Sequence, residues 1–354
     1  MQSVLMRDRQ LYIEEVEVPE PGPGQVLVKS LACGICGSDL HMTLHGNDFV
    51  ELMKREGMLD ASADASALQL RLGHEFCAEI VRYGPETARE LTVGSRVTSI
   101  PFLHSGDETQ GIGTEPGTFG AYSQYFLLSE RNMLEIAPDL PSEAAALTEP
   151  LAVGLHAVNV AALTPDAAVM VVGCGPIGLA CISALKRRGV NTILATDLQQ
   201  AKRKVAMQFG ASYTLDPSQQ DECEYLSRIA ESRPVVLFEC VGSPRMIPNL
   251  IRRAPEHATI VFIGIHSCDI SISPFYATMK QLNLKFSYYY TPEEFQESLM
   301  SLAANAMPWQ SMITGRVGID GISEAFDALQ QTGEHCKIII EPWRVGTLLA
   351  TRTP

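Results

Sequence analysis

The chain has too little positive charge for a partner that carries phosphates on its surface. Its 354 residues include 27 Lys and Arg against 41 Asp and Glu, which gives a formal net charge of -14 and a pI near 5.0. A surface of this sign repels nucleic acid and anionic lipid. The composition therefore argues against nucleic acids and membranes as partners.

The sequence also lacks the cysteine pattern of a small secreted protein. Its nine cysteines are an odd number, spread over a chain long enough for two domains of ordinary size. The first thirty residues contain several charged side chains and no uninterrupted apolar stretch of the kind that a secretory signal requires. We therefore expect a cytoplasmic protein whose cysteines are buried thiols or metal ligands.

Long charge-free runs are scarce, and the most prominent covers residues 167–185. Its 19 positions are long enough to suggest a membrane span. Pro176 and three glycines interrupt the run, however, at the point where an apolar strand is expected to turn into a helix. We interpret the run as a buried strand followed by a helix.

Short β-rich runs dominate the first part of the chain. We predict two strands within 11–29, on either side of a turn rich in proline and glycine, and further strands at 79–83, 96–100 and 122–128. Helical sequence rich in alanine begins with a cap signal at Ser142 and runs to about residue 162. The pattern predicts an antiparallel, barrel-like first domain.

Strands and helices then alternate, which is typical of an α/β domain with a doubly wound parallel sheet. The predicted strands are 169–172, 192–195, 235–239 and 259–264, and the predicted helices are 176–188, 199–209, 219–231 and 244–253. After residue 275 we predict helices at 292–303 and 322–330 and a strand at 336–340. These last segments are expected to return to the first domain and complete it.

A glycine fingerprint follows the first strand of this alternating region. It reads Gly173-Cys174-Gly175-Pro176-Ile177-Gly178. The first glycine permits a tight turn, the second lets the backbone approach a pyrophosphate, and the third allows close packing of helix on sheet. Asp197 stands 19 residues after Gly178, at the end of the next predicted strand, where a carboxylate accepts hydrogen bonds from a ribose diol. These residues predict a dinucleotide site that favours NAD over NADP.

A second group of residues offers ligands for a metal ion. Cys36, His74 and a carboxylate supply the S, N and O donors that zinc accepts, and both Glu75 and Glu149 are candidates for the carboxylate. Taken alone, a cysteine and a distant histidine are more often core residues than ligands. Cys33 and Cys36 also have the spacing of a redox pair, which the glycine-rich, β-flanked setting disfavours, and we expect Cys33 to pack in the core.

Several motifs in a fixed order resemble the zinc-dependent medium-chain dehydrogenases, the family of alcohol, sorbitol and threonine dehydrogenases. The matching segments are 34–41 (GICGSDLH), 73–75 (GHE), 148–151 (TEPL), the glycine fingerprint with Asp197, and 238–242 (FECVG). The resemblance covers nearly the whole length. It implies a GroES-like β-barrel catalytic domain, residues 1–149 completed by 286–354, plus a Rossmann NAD-binding domain, residues 150–285.

The resemblance also implies an activity: a zinc-dependent, reversible hydride transfer between a secondary alcohol or polyol and NAD. Two other hypotheses are a dehydrogenase for a larger hydrophobic alcohol and a non-catalytic NAD-binding sensor or structural protein. The family further suggests a homodimer or homotetramer.

By motif position, Cys36 and His74 resemble the first two zinc ligands of the family. Glu149 occupies the position of the third, and Glu75 either binds zinc directly or exchanges with Glu149. Asp39 resembles a carboxylate that orients the ligands.

The resemblance gives two further residues a role in proton transfer. Ser38 would take the proton of the alcohol and pass it, through the ribose of the nicotinamide, to His41. His45 and His156 are alternatives for this last position.

Two features depart from the family pattern. Many relatives bind a structural zinc through four closely spaced cysteines, but residues 101–120 contain none, so we expect one catalytic zinc per chain. The segment 42–72 is longer than usual, and we predict a helix in it that is capped by Asn47 and ends near Gly57. The segment is interpreted either as a lid that selects substrate or as a surface insertion.

Overall fold

The computed structural model describes residues 1–58, 60, 68–266, 268–331, 333 and 335–350. It divides the chain into two units. Unit 1 comprises Met1–Glu149 and Leu299–Pro354, and unit 2 comprises Pro150–Ser298. Residues 59 and 61–67 of the segment 42–72 lie outside the described residues.

The strands and helices follow in chain order. The strands are β1 (Gln2–Arg7), β2 (Gln10–Glu15), β3 (Gln25–Gly34), β4 (Gln69–Leu70), β5 (Glu75–Tyr83), β6 (Arg96–Ser99), β7 (Phe102–Ser105), β8 (Glu108–Gly111), β9 (Tyr125–Ser129), β10 (Met133–Glu135), β11 (Ala168–Val172), β12 (Thr192–Thr196), β13 (Tyr213–Leu215), β14 (Val235–Glu239), β15 (Thr259–Phe262), β16 (Asn283–Phe286), β17 (Ile313–Val317), β18 (Lys337–Ile340) and β19 (Leu349–Ala350). The helices are α1 (Gly37–Arg55), α2 (Ser142–Ala145), α3 (Thr148–Ala161), α4 (Pro176–Arg187), α5 (Gln200–Phe209), α6 (Glu222–Ala230), α7 (Met246–Arg253), α8 (Pro274–Met279), α9 (Pro292–Ala303) and α10 (Ile322–Gln330).

Strand β3 is the centre of the largest sheet in unit 1. It pairs antiparallel with β5, β9 and β18, and the order of the sheet in the described chain is β10-β6-β5-β3-β18-β17-β19. Among the described strands of this sheet, only β17 and β18 pair in parallel. Val26, Val28 and Cys33 of β3 are fully buried in the core, as expected for a central strand. Cys33 is therefore a packing residue, as predicted.

Unit 2 contains a parallel sheet in the order β13-β12-β11-β14-β15-β16 across the described residues. Counted within the unit, this order is 3-2-1-4-5-6, the arrangement of a doubly wound nucleotide-binding sheet. Strands β11 and β12 are buried along their whole length, because helices cover both faces of such a sheet. The predicted α/β class, with a mainly antiparallel unit and a doubly wound unit, is confirmed.

The helix predicted from Asn47 to near Gly57 corresponds to the second part of α1, which follows an interruption at His45 and ends at Arg55. Helix α1 itself begins earlier than the prediction, at Gly37, directly after Cys36. Glycine and serine near its start weaken helix propensity, so the sequence pattern missed this beginning. The Asp39 carboxylate stabilises it instead, because it accepts a hydrogen bond from the Cys36 N–H at 3.0 Å.

The second boundary between the units falls at Leu299, later in the chain than the expected residue 286. Strand β16 pairs with β15 and belongs to the sheet of unit 2. Helix α9 also begins in unit 2. Glu294 in its first turn accepts hydrogen bonds from the side chain of Asn159 at 2.7 Å and from the N–H of Thr291 at 2.8 Å, and both partners belong to unit 2. Periodicity does not indicate the contact with Asn159, which lies 135 positions away.

Within the part of the chain that the structure describes, one helical stretch, Ser142–Ala161, has the length and mean hydropathy of a membrane span. It includes α2 and α3, and 78% of its most apolar window is buried. A core helix of a globular protein has the same composition. The charge-free run at 167–185 forms β11, the glycine loop and most of α4 instead.

Candidate functional site

The pairing of β3 with β5 brings the candidate metal ligands of unit 1 together. Gly34 at the end of β3 stands opposite Glu75 at the start of β5 in the antiparallel register. Cys36 follows one of these strands and His74 precedes the other, so the two side chains meet at the same end of the sheet.

Cys36, His74 and Glu75 form the group of potential metal ligands that the described residues contain. Their ligand atoms lie within 4.8 Å of one another. Cys36 is partly exposed, whereas His74 and Glu75 are buried. Zinc binds sulfur at about 2.3 Å and nitrogen or oxygen at about 2.0–2.2 Å, so small side-chain shifts would place all three around one ion. The donor set therefore fits zinc.

Asp39 lies behind this group and fixes its position. Its carboxylate is buried and accepts hydrogen bonds from the Cys36 N–H and from the Tyr122 hydroxyl, the latter at 2.6 Å. The Oδ1 atom of Asp39 is 3.6 Å from Nδ1 of His74, a buried atom that has no hydrogen-bond partner among the described residues. A carboxylate behind a ligand histidine is typical of zinc sites.

The charges around His74 favour a cation at this place. Burial lowers the pKa of the His74 imidazole, but Asp39 and Cys36 outweigh burial and hold that pKa well above its usual value. Burial in turn raises the pKa of the Asp39 carboxyl, against the influence of His74. Without a metal ion the group attracts a proton, and a divalent cation would satisfy the same field.

Glu75 is held by a buried lysine that the sequence analysis missed. Nζ of Lys337 donates to both oxygens of Glu75, at 2.7 and 2.6 Å, and to the carbonyl of Ile35 at 2.8 Å. Burial works against the charge of Lys337, but the Glu75 carboxylate outweighs it and raises the pKa of Lys337. The sequence did contain a signal for this ion pair. Lys337 begins the otherwise apolar strand β18, and a buried charge requires a partner.

The backbone leaves room for this ion pair. A side chain at position 34 would overlap the Glu75 carboxylate, so the glycine there is required by close approach rather than by its backbone angles.

Glu149 is also buried and belongs to unit 1. Its charge contributes to the raised pKa of His74, after the contributions of Asp39 and Cys36. The structure thus places Glu149 in the electrostatic environment of His74, while Glu75 is the carboxylate whose oxygen lies in the ligand group.

Ser38 and His41 lie three residues apart in α1 and therefore on one side of the helix. Both side chains are partly exposed. The His41 ring contacts the His45 ring, with 5.0 Å between their centroids. His156, the other histidine considered for this role, lies in unit 2, where its Nδ1 is 2.8 Å from the Glu294 carboxylate.

The glycine fingerprint forms the expected strand–turn–helix in unit 2. Gly173 follows β11 with a φ of +94°, which favours glycine, and a side chain at Gly175 would meet no atom within 4 Å. Pro176 occupies the first turn of α4, where the missing N–H costs no hydrogen bond. Gly178 packs against the carbonyl of Gly173. The open space at Gly175 before a helix N-terminus suits a pyrophosphate.

Asp197 follows β12 and is linked to the glycine loop. Its carboxylate accepts hydrogen bonds from the N–H of Cys174 at 2.9 Å and of Gln199 at 2.8 Å. Arg203 donates to the carbonyl of Asp197 at 2.6 Å and pairs with Asp216 at 3.2 Å. Asp197 therefore orders the loop in addition to the ribose contact expected of it.

Unit 2 has a doubly wound sheet with a phosphate loop, and unit 1 has a group of S, N and O donors. These features define the class of metal-dependent, dinucleotide-dependent oxidoreductases. Residues 22–139 match the alcohol dehydrogenase GroES-like domain, and residues 176–305 match the zinc-binding dehydrogenase domain.

Characterised relatives span almost the whole chain. An (R,R)-butanediol dehydrogenase of Bacillus subtilis (strain 168) is 31% identical over 94% of this chain and 97% of its own length. A sorbitol dehydrogenase of Bos taurus is 28% identical over 94% and 93%. The crystal structure of 2R,3R-butanediol dehydrogenase from Bacillus subtilis is similar with a TM-score of 0.80 at 27% identity, covering 96% of this chain and 99% of that one. A zinc-binding dehydrogenase structure from Sinorhizobium meliloti 1021 bound to NADP has a TM-score of 0.79 at 26% identity, over 96% and 99%.

The chain belongs to the zinc-dependent medium-chain dehydrogenase family. It is an oxidoreductase of the alcohol and polyol dehydrogenase type, which uses zinc and a nicotinamide cofactor. The comparisons give no support to a non-catalytic role.

Proposed function

We propose that the protein oxidises a small secondary alcohol or polyol reversibly with NAD, using one zinc ion per chain. The observation that carries this proposal is the group of Cys36, His74 and Glu75, whose ligand atoms lie within 4.8 Å of one another. A zinc ion held there would supply a positive charge beside the alcohol oxygen, and the nicotinamide would accept the hydride.

Cys36, His74 and Glu75 are the proposed zinc ligands. Lys337 holds the Glu75 carboxylate in place through its hydrogen bonds, and Asp39 orients His74. Glu149 is proposed as a nearby anion that compensates the charge of the ion and is able to exchange with Glu75. The absence of cysteine from residues 101–120 supports a single zinc ion per chain.

Ser38 and His41 are proposed to move the proton of the alcohol. The Ser38 hydroxyl accepts the proton, and His41, on the same side of α1, receives it and releases it to water. The ring of His41 is partly exposed, which allows this exchange with solvent.

Asp197 is proposed to select NAD. Its negative charge at the end of β12 would repel the additional phosphate of NADP and accept hydrogen bonds from a ribose diol. Arg203 is close by and is expected to reduce this preference without reversing it, because its guanidinium is already bound to the Asp197 carbonyl and to Asp216.

The relatives supply the first substrates for a test. Since they are named for butanediol and sorbitol, we propose a substrate with hydroxyl groups on adjacent carbons. The decisive experiment measures NADH formation with (R,R)-butanediol, sorbitol, threonine and a larger hydrophobic alcohol, together with the zinc content of the protein. Turnover confined to the hydrophobic alcohol would contradict the substrate class, and active protein without zinc would contradict the mechanism.

Glu75→Gln and Glu149→Gln variants separate the two carboxylates. We expect zinc content to fall more in Glu75→Gln. The reverse order would assign the third ligand to Glu149. The family also suggests a homodimer or homotetramer, which light scattering of the purified protein would measure.

A further inference from the structure

The motif at 238–242 contains a carboxyl group that the proposed mechanism does not use. Glu239 is the last residue of β14 and stands opposite Val172, the last residue of β11, in the parallel register. In a doubly wound sheet, ligands bind outside the carboxyl ends of the strands, in the crevice where the strand order reverses. In unit 2 the order reverses between β11 and β14. Glu239 therefore lies at the crevice where a dinucleotide is expected.

Glu239 holds the loop that follows β14, residues 240–242, which we call the β14 loop. The side chain of Glu239 is fully buried. Its Oε1 atom accepts hydrogen bonds from the N–H of Val241 at 2.8 Å and from the N–H of Gly242 at 2.9 Å. One oxygen atom thus satisfies two successive backbone donors and fixes the conformation of the β14 loop.

The β14 loop packs against the loops on both sides of it. A Cβ atom at Gly173 would come within 2.9 Å of Cγ2 of Val241, so the glycine loop directly touches the β14 loop. A Cβ atom at Gly264, which follows β15, would overlap the Cα atom of Gly242. Because the three loops are in such close contact, a change in the β14 loop would be transmitted to the glycine loop.

The other oxygen of Glu239 is left unsatisfied by the fold. Oε2 is buried and has no hydrogen-bond partner among the described residues. A buried polar atom without a partner destabilises the folded protein, and an apolar side chain would avoid this loss. The presence of a carboxyl group here therefore points to a use for its Oε1 atom.

We propose that Glu239 is a positioning residue for the coenzyme, which holds the β14 loop and the adjacent glycine loop in the conformation that binds a nicotinamide dinucleotide. The inference rests on binding of the coenzyme at the glycine loop. Val241 is 52% exposed, so the loop that Glu239 holds also presents a side chain to a ligand.

The hydrogen-bond acceptor of Glu239, rather than its charge, carries this role. Burial raises the pKa of the Glu239 carboxyl, although the N–H groups of Gly242 and Val241 act against burial. The neutral form keeps Oε1 as an acceptor and places no negative charge next to a loop that binds phosphates. A glutamine at this position should therefore replace the glutamate.

NADH binding by the zinc-loaded protein, followed by NADH fluorescence in the absence of alcohol, tests this inference. Glu239→Ala removes the acceptor, and we expect the dissociation constant for NADH to rise roughly tenfold or more, because two loop N–H groups lose their partner. Glu239→Leu should show the same weakening and fills the buried volume, so it serves if the alanine variant does not fold. Glu239→Gln should stay within roughly threefold of the wild type.

Glu222→Ala is the matched control. Glu222 is also a buried carboxylate of unit 2, but it pairs with Arg253 at 3.0 Å, and its loss should lower stability without weakening NADH binding. Equal weakening in Glu222→Ala and Glu239→Ala would overturn the inference, since general destabilisation would explain both. Unchanged binding by Glu239→Leu, or binding by Glu239→Gln as weak as that of Glu239→Leu, would overturn it as well. A wild-type protein that does not bind NADH would overturn the proposed function together with this inference.

Discussion

The two candidate sites are assembled in opposite ways. In unit 2, the phosphate loop and Asp197 come from one strand–helix–strand segment, and the carboxylate of Asp197 accepts its hydrogen bond from Cys174, only 23 positions away. In unit 1, Cys36 and His74 meet through strand register, and the Glu75 carboxylate is held by Lys337, 262 positions away. Local sequence thus defines one site, whereas long-range pairing of strands defines the other.

The largest effect is expected when the long-range contact between Glu75 and Lys337 is removed. Lys337→Met leaves the Glu75 carboxylate buried without its cation, and we expect unit 1 to lose about 3–5 kcal/mol of stability. Urea unfolding followed by circular dichroism would measure the loss. A Lys337→Met/Glu75→Gln double variant should recover much of it, because neither member of the pair then carries a buried, unpaired charge. Wild-type stability of the single variant would show that the pair is not important for unit 1.

Cys36→Ser tests whether the assembled group binds metal. We expect a loss of bound zinc and a fall in alcohol oxidation of more than about 100-fold, since even residues behind the ligands typically contribute 10–100-fold. Elemental analysis and NADH absorbance would measure both. Cys268→Ser is the control, because Cys268 is an exposed thiol in unit 2. Full zinc and turnover in Cys36→Ser would refute the ligand assignment.

Asp197→Ala tests the locally encoded site. Because the variant loses the ribose acceptor and the contact with the Cys174 N–H, we expect NAD affinity to fall by roughly tenfold or more. The preference for NAD over NADP should narrow as well. Asp197→Asn keeps a hydrogen-bond acceptor for the Cys174 N–H but loses the negative charge. It therefore separates the effect of the loop contact from the effect of the charge. An unchanged ratio of the NAD and NADP affinities in both variants would contradict the selection of NAD by charge.

The smallest expected effect concerns a helix cap in unit 2. Asp221 accepts hydrogen bonds at 2.9 Å from the N–H groups of Cys223 and Glu224, and the Arg253 guanidinium together with these bonds lowers its pKa below the usual 3.8. Asp221→Ala should cost about 1 kcal/mol at neutral pH.

The sign of its pH dependence follows from the lowered pKa. The contribution of Asp221 is fully present above pH 3.8 and is lost as the pH falls through the folded-state value. The stability difference between the variant and the wild type should therefore shrink below about pH 4. Asp221→Asn is the matched control, because asparagine is a good cap without the charge. A difference that grows on acidification would contradict the pKa direction.

The sequence predicted regular elements well where the pattern was local. Strands β11, β12, β14 and β15 and helix α4 lie close to their predicted positions, because apolar runs and glycine mark them. The short edge strands β13 and β16 were missed, since few apolar residues mark an edge. The start of α1 was missed because the cap depends on the side chain of Asp39 rather than on helix propensity.

The sequence predicted which residues form the candidate metal site, but it did not predict the contacts that hold these residues in place. Cys36, His74 and Glu75 were identified from motifs, and the structure brings them together. Lys337 was not identified, because nothing near it in sequence indicates a carboxylate partner. The sequence also gives no indication that the Tyr122 hydroxyl donates a hydrogen bond to Asp39.

Sequence patterns alone were enough to predict the doubly wound unit and its glycine loop, because those signals depend on spacing over a few residues. The order of the motifs was enough to propose Cys36, His74 and Glu75 as metal ligands. The folded structure was needed to show that Lys337 holds Glu75 and that Asp39 lies behind His74. It was also needed to show that the rings of His41 and His45 are in contact. These arrangements depend on strand register and on the interruption of α1 at His45, and such contacts follow from the packing of the whole unit.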